Sequence, residues 1–339
     1  MQESDTLVAA AMLDQGSHEC QVAVGGEGDL YNHYQTCNKD PGHGSFKPVD
    51  KNQLTVDCLP VGYQNDVVLQ CILGLIPLVV CIVVTHTSVK RPAFESNNKK
   101  EYPFSKCKGC ETMRTGTGWL RHVAKFGALE NGTCTCEKCR ASGSPQTYGA
   151  EFTIRTAAHV VFDSEEGAKT TIHFNFDDGL SLGCCNTLRT YCWAIRVDSD
   201  VDGDCCDMTF VTHDKSEAEE YAKLIADYRE LHQKVWDTYP PKSDAKDRPS
   251  GDKLDLAIIV SHPHGCSKKV SFGQFKRRYE FPFAGKFTNY YYTTATCKGS
   301  SGAPVFILGP SRRWPWCSHP HSGNCEEDKS VNYSAIGTN

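Results

Sequence analysis

The chain has 339 residues, with 36 basic and 41 acidic side chains, a net charge of −5 and 39% hydrophobic residues. That length accommodates two ordinary domains, and the composition excludes wholesale disorder and collagen-like repeats. Phosphate contacts call for a basic excess, and none stands out, so no nucleic-acid partner is expected. The 19 cysteines are the anomaly. An odd number cannot all pair within one chain, and disulfide-dense secreted scaffolds are usually much shorter. Residues 1–20 lack the basic start and unbroken apolar core of a signal peptide. Reduced thiols in a cytoplasmic protein, some of them holding metal, are therefore expected.

In chain order, residues 1–50 are rich in Gly, His, Asp and Asn with little apolar periodicity, and read as a loosely attached leader. Residues 51–105 form an extension built around the run Val67 to Val84. An apolar run of about 18 residues is at the lower edge of a membrane-spanning helix. The soluble reading is a short helix from Val67 to Ile76, broken at Pro77, then a buried β-branched strand from Val79 to Thr87. Should 67–84 span instead, the lysines and arginine that follow place the rest of the chain on the cytoplasmic side. Membrane contact is expected only there.

From residue 106 onward, short β-like runs alternate with Gly, Asp and Ser turns. Five lie between 115 and 213 and five between 253 and 337. Between the two sets, Tyr221, Leu224, Ile225, Tyr228, Leu231 and Val235 recur at helical spacing, predicting a helix over 216–236 with Ser216 and Glu219 as capping box. Many short strands at close spacing predict a mainly β barrel or sandwich.

Three stretches carry catalytic chemistry. Thr156-Ala-Ala-His159-Val closes a strand with histidine, Asp204 stands just before a strand, and Lys298-Gly-Ser-Ser301-Gly-Ala-Pro places serine in a glycine-flanked turn. A serine hydroxyl becomes a nucleophile when an imidazole takes its proton and a carboxylate orients that imidazole. Flanking glycines let backbone amides aim at the developing oxyanion.

These residues resemble the trypsin-like (chymotrypsin-fold) serine peptidases over residues 113–339. TAAHV is similar to the family's TAAHC box and GSSGAP to its GDSGGP box. The resemblance implies a two-barrel fold, with barrels at about 113–213 and 252–339 joined by a helix and linker over 214–251. It implies His159 as general base, Ser301 as nucleophile, and the amides of Gly299 and Ser301 as the oxyanion hole. The acid is Asp204 or Asp255. Asp255-Leu-Ala-Ile-Ile matches the family's Asp-Ile-Ala-Leu-Leu strand better. Spacing favours Asp204, which lies 45 residues beyond His159 and 97 before Ser301, against only 46 for Asp255. Val260-Ser-His-Pro-His-Gly265, followed by VSFGQ, resembles a second-barrel turn of HtrA-like peptidases, which also favours Asp204. The expected function is hydrolysis of peptide bonds in a protein or peptide substrate, without a catalytic cofactor. The alternative is a catalytically silent barrel that binds protein.

The sequence departs from the family at Ala303, Ser300 and Val160, the last removing the histidine-loop disulfide. Ala295, six residues before the serine, gives no support for cutting after basic residues. The chain stops where the family adds a strand and a C-terminal helix, so either truncation or a second barrel lacking that part is expected.

Cys107-x2-Cys110 and Cys136-x2-Cys139 have the local spacing of structural zinc sites. A local alternative joins Cys134, Cys136 and Cys139 to His122. Asp198, Asp200, Asp202 and Gly203 imitate the start of a calcium loop, but Thr209 stands where a bidentate glutamate is needed. His262 and His264 are metal-type residues that a turn between strands explains equally well.

Overall fold

The computed structural model describes residues 17–23, 27–50, 52–95, 100–129, 132–179, 182–239, 255–281, 287–308 and 319–338. The fold is mainly β, with two antiparallel sheets. The principal path of the first runs Arg189–Cys192, Thr170–Phe174, Val79–Val84, Met113–Val123, Tyr148–Thr156, Cys205–Thr212 and Arg196–Asp200. That of the second runs Val305–Leu308, Leu256–Ser261, Lys269–Glu280, Phe287–Tyr292, Asn332–Ser334 and His321–Asn324.

The apolar run 67–84 divides at Pro77. Asn65 caps the helix Asp66–Leu75 by accepting from the Val67 amide at 2.8 Å, and Ile76–Leu78 forms a tight turn. Val79–Val84 then becomes a strand buried along its whole length, paired with Met113–Val123 on one side and Thr170–Phe174 on the other. A strand covered on both faces reads as an unbroken apolar run, which is why its sequence imitates a membrane span. No helix among the described residues is long and apolar enough to cross a membrane. This strand is interior to the first sheet, so the sheet starts well before residue 113 and the segment 51–105 is not an appendage.

The long helix is Lys215–Thr238, and its cap is Asp214, which accepts from the Glu217 amide at 3.1 Å, rather than Ser216. Its buried face carries Tyr221, Ile225, Tyr228 and Val235 in the same apolar cluster as Ile72 and Leu75 of helix Asp66–Leu75. The linker expected after it lies largely outside the described residues.

The leader reading of 1–50 needs correction from residue 17 onward; residues 1–16 lie outside the described set. Gln21–Ala23 pairs with Met113–Thr115 of the first sheet, and Phe46–Pro48 pairs with Lys269–Ser271 of the second. Cys20, Val22 and Leu30 are buried, so apolar burial holds a segment whose overall composition looks like loop.

Candidate active site

The site forms where the two sheets meet, and Thr117 is the joint. Its hydroxyl donates to the Gly299 carbonyl at 2.8 Å and accepts from the His262 amide at 3.0 Å, while its amide donates to the Ser301 carbonyl at 2.8 Å. The serine loop is locked by glycines. Gly302 has φ +84°, and a Cβ there would meet Thr156 Oγ1 at 2.1 Å and Thr117 O at 2.2 Å. Gly299 has φ +93°, with no room for a Cβ beside the His262 carbonyl. Only glycine fits such positions without strain.

His159, Asp204 and Ser301 converge. His159 is buried at the turn that follows Tyr148–Thr156. Its Nε2 lies 2.7 Å from Ser301 Oγ, and its Nδ1 lies 2.9 Å from both Asp204 carboxylate oxygens. In neutral His159, Nδ1–H donates to the carboxylate and Nε2 accepts from the serine hydroxyl. Burial by itself would lower the His159 pKa, but the charge and hydrogen bond of Asp204, with a contribution from Cys20, together outweigh it and raise the pKa to about 9. Burial pushes Asp204 upward, yet His159 holds it well below the usual carboxylate range. Asp255, the other candidate acid, is buried at the entry to strand Leu256–Ser261, where its carbonyl accepts from the Phe275 amide. Asp204, not Asp255, faces His159.

The amides of Gly299 and Ser301 point at a common acceptor, the Glu19 carbonyl oxygen, at 2.6 and 3.4 Å. Two donors converging on one oxygen is the geometry an oxyanion hole needs. A cavity of about 620 Å³ opens beside the triad, lined in part by His18, His159, Asp204, Ser322 and Tyr333.

Several supporting residues carried no sequence signal. Ser322 donates its hydroxyl to Asp204 Oδ2 at 2.6 Å. Glu166, fully buried, accepts from Arg91 Nε at 2.6 Å, Arg91 Nη2 at 2.8 Å and Arg114 Nη2 at 2.5 Å. Arg91 also donates to the His159 carbonyl at 3.1 Å and Arg114 to the Val160 carbonyl at 3.1 Å, so this ionic cluster grips the histidine turn from behind. Its members are far apart in sequence, and no local motif announces them.

The four-cysteine metal set must be revised. Cys107 packs in the main core, whereas Cys136 and Cys139 pack with Cys134 in a separate cluster beside Leu129 and Val211. The ligand atoms of Cys134, Cys136, Cys139 and His213 all lie within 4.8 Å of one another. The histidine is thus His213 rather than His122, because the loop folds back against the end of strand Cys205–Thr212. His213 Nδ1 lies 2.7 Å from the Tyr148 carbonyl, and Nε2 faces Cys139 Sγ at 3.3 Å and Cys136 Sγ at 3.6 Å. An imidazole whose Nδ1–H is tied to a backbone carbonyl presents Nε2 as a ligand.

No family model and no curated protein matches the chain. It is similar to solved structures of serine proteases. One is the Rv3671c protease of M. tuberculosis in its active form, at 13% identity and a TM-score of 0.37, covering 78% of each chain. Another is the thermostable serine protease AL20 from an extremophilic microorganism, at 10% identity and a TM-score of 0.35, covering 78% of this chain and 93% of that one. A third is the HtrA-type protease AlgW with a decapeptide, at 10% identity and a TM-score of 0.39, covering 78% of this chain and 62% of that one. All three are proteases, one of them HtrA-type.

Proposed function

We propose that the chain is a serine endopeptidase that hydrolyses peptide bonds through an acyl-enzyme. The observation that carries this reading is the unbroken line from Asp204 through His159 Nδ1 and Nε2 to Ser301 Oγ. Ser301 attacks the carbonyl carbon of a peptide bond as His159 takes its proton. The amides of Gly299 and Ser301 stabilise the oxyanion, and His159 returns the proton to the departing amine. Water then repeats the sequence on the acyl-enzyme and frees the serine. Asp204 keeps His159 in the productive tautomer and balances the imidazolium.

The chemistry needs no cofactor. We assign the cluster of Cys134, Cys136, Cys139 and His213 to structural zinc: three thiols and one imidazole match the ligand preference of zinc, and four protein ligands leave no position open for catalysis.

The test is labelling of the purified chain with a fluorophosphonate probe. Wild type is expected to label at Ser301, and Ser301→Ala and His159→Ala are expected not to. Absence of label from a folded chain with its active cleft open would sink the reading and leave a binding module.

A further inference from the structure

A segment of the chain lies across its own candidate active site. The Glu19 carbonyl oxygen is the atom held by the Gly299 and Ser301 amides, and the Glu19 amide donates to Ser301 Oγ at 2.9 Å. Upstream, the Ser17 carbonyl accepts from the Asn324 amide at 2.9 Å, and His18 pairs antiparallel with Gly323. The His18 ring also lies against that of His159, tilted by 32° with ring centroids 4.1 Å apart. Downstream, Gln21–Ala23 pairs antiparallel with Met113–Thr115. The peptide bond after Glu19 is therefore presented in extended form, clamped by a different sheet on each side. That is how a bound peptide substrate sits, with strand addition on both flanks and the attacked carbonyl in the oxyanion hole.

The Glu19 side chain is buried between charged partners. It is 3% exposed, with one carboxylate oxygen on Lys39 Nζ and the other 2.7 Å from His321 Nε2. These partners are themselves braced. Lys39 Nζ also donates to Thr296 Oγ1 at 2.9 Å, and the Tyr292 hydroxyl lies 2.6 Å from His321 Nδ1. An apolar side chain here would leave Nε2 of buried His321 without its partner and the Lys39 ammonium without its counter-charge, and a basic one would add repulsion.

We propose that the Glu19–Cys20 bond is cut by Ser301 of the same molecule, and that His321 and Lys39 select the carboxylate-bearing residue on the acyl side. The proposal rests on the peptidase reading above. Ser301 Oγ bonds to the Glu19 carbonyl carbon, and its proton passes through His159 to the Cys20 nitrogen as the C–N bond breaks. Water then adds its hydroxyl to the Glu19 acyl carbon and returns a proton to Ser301. Residues 1–19 leave with a new carboxylate, and Cys20 becomes the N-terminus.

The experiment follows the intact mass and N-terminal sequence of the full-length chain. Wild type should lose residues 1–19, at a rate unchanged on dilution, while Ser301→Ala stays whole. Glu19→Ala should slow cleavage by about 10²-fold or more. Glu19→Lys should stay uncut but, with the segment expelled from these partners, its Ser301 should take a fluorophosphonate label. Uncut wild type alongside a labelled Glu19→Lys chain would overturn self-cleavage and leave the peptidase reading standing. If a folded Glu19→Lys chain also fails to label, both fall. A cut Ser301→Ala chain, or Glu19→Ala cut as fast as wild type, would remove self-processing or carboxylate selection respectively.

A separate observation supports a second site. The ligand atoms of Cys37, His43, His264 and Cys297 lie within 4.8 Å of one another, with the two sulfurs 3.6 Å apart. His43 and His264 are buried, yet neither ring nitrogen of His43, nor Nε2 of His264, has a hydrogen-bond partner among the described residues. His264 Nδ1 is 2.8 Å from Gln21 Oε1, so Nδ1–H is committed and Nε2 is free to ligate. Such orphaned imidazoles are costly unless something accepts their lone pairs. The geometry points to a second structural zinc ion on these four residues, pinning the segment after Cys20 to the loop that leads into Ser301. Metal analysis of the purified full-length chain is expected to show zinc that drops by one equivalent in the C37S/C297S double variant. Cobalt(II) substitution should show thiolate charge-transfer bands that weaken in parallel. Metal content and spectrum unchanged by the double substitution would overturn this site.

Discussion

Asp204 holds His159 at two points: its Oδ1 accepts from the His159 backbone amide at 3.0 Å, and its carboxylate faces Nδ1 of the ring at 2.9 Å. Asp204 itself stands at φ +53°, a left-handed conformation that aspartate tolerates better than most residues. One carboxylate thereby fixes both the histidine turn and the tautomer of its ring. Asp204→Asn is expected to reduce kcat by about 10⁴-fold, because the amide no longer enforces that tautomer. Asp255→Asn, away from the ring, should retain far more activity. Initial rates on a peptide with glutamate on the acyl side separate the two, and comparable losses would contradict the assignment.

The raised pKa of His159, about 9, sets the pH response of catalysis. Below that pH the imidazole already carries the proton it must take from Ser301, so kcat/KM should climb as pH rises toward 9. A profile already flat from pH 6 upward would show that the Asp204 charge does not govern this base.

Glu166 predicts a stability effect. Burial raises its pKa, but Arg114 and Arg91 more than reverse this and bring it down to about 2 from the ordinary 4.5. A carboxyl with a lowered folded-state pKa contributes stability that is complete above 4.5 and is lost as pH falls through 2. Glu166→Gln should destabilise by about 3–5 kcal/mol at neutral pH, since two buried guanidinium groups lose their counter-charge. It should also flatten the fall of Tm with acid. Denaturant melts at neutral pH and thermal melts across pH measure the two effects, and unchanged midpoints would rule out the cluster as a brace for the histidine turn.

At the cysteine cluster, His213→Ala should release zinc and lower Tm, whereas His122→Ala should do neither. Chelation of wild type should lower Tm at least as far as His213→Ala does. Equal zinc content in both variants would exclude His213 as a ligand.

The serine and histidine boxes were legible because each is a contiguous run whose chemistry depends on near neighbours. The strand Val79–Val84 was legible as β-branched and buried, but not as the interior of the first sheet, because pairing partners are not written in the strand itself. The metal set was misjudged for the same reason. CxxC spacing reports local proximity, and only the folded loop shows that His213 joins Cys134, Cys136 and Cys139 while Cys107 stays in the core.

By itself the sequence determined the mainly β class and the long helix, offered the break at Pro77 as one of two readings, and singled out His159 and Ser301 as candidates. Those follow from periodicity, backbone restriction and the glycines around the nucleophile, which act over a few residues. Tertiary structure decided the rest: Asp204 over Asp255, the brace of Arg91, Arg114 and Glu166, and the placing of Glu19 against Ser301 across 282 residues of chain. These depend on which sheet edges and loops the fold brings together, and burial of apolar surface, blind to sequence order, makes that choice.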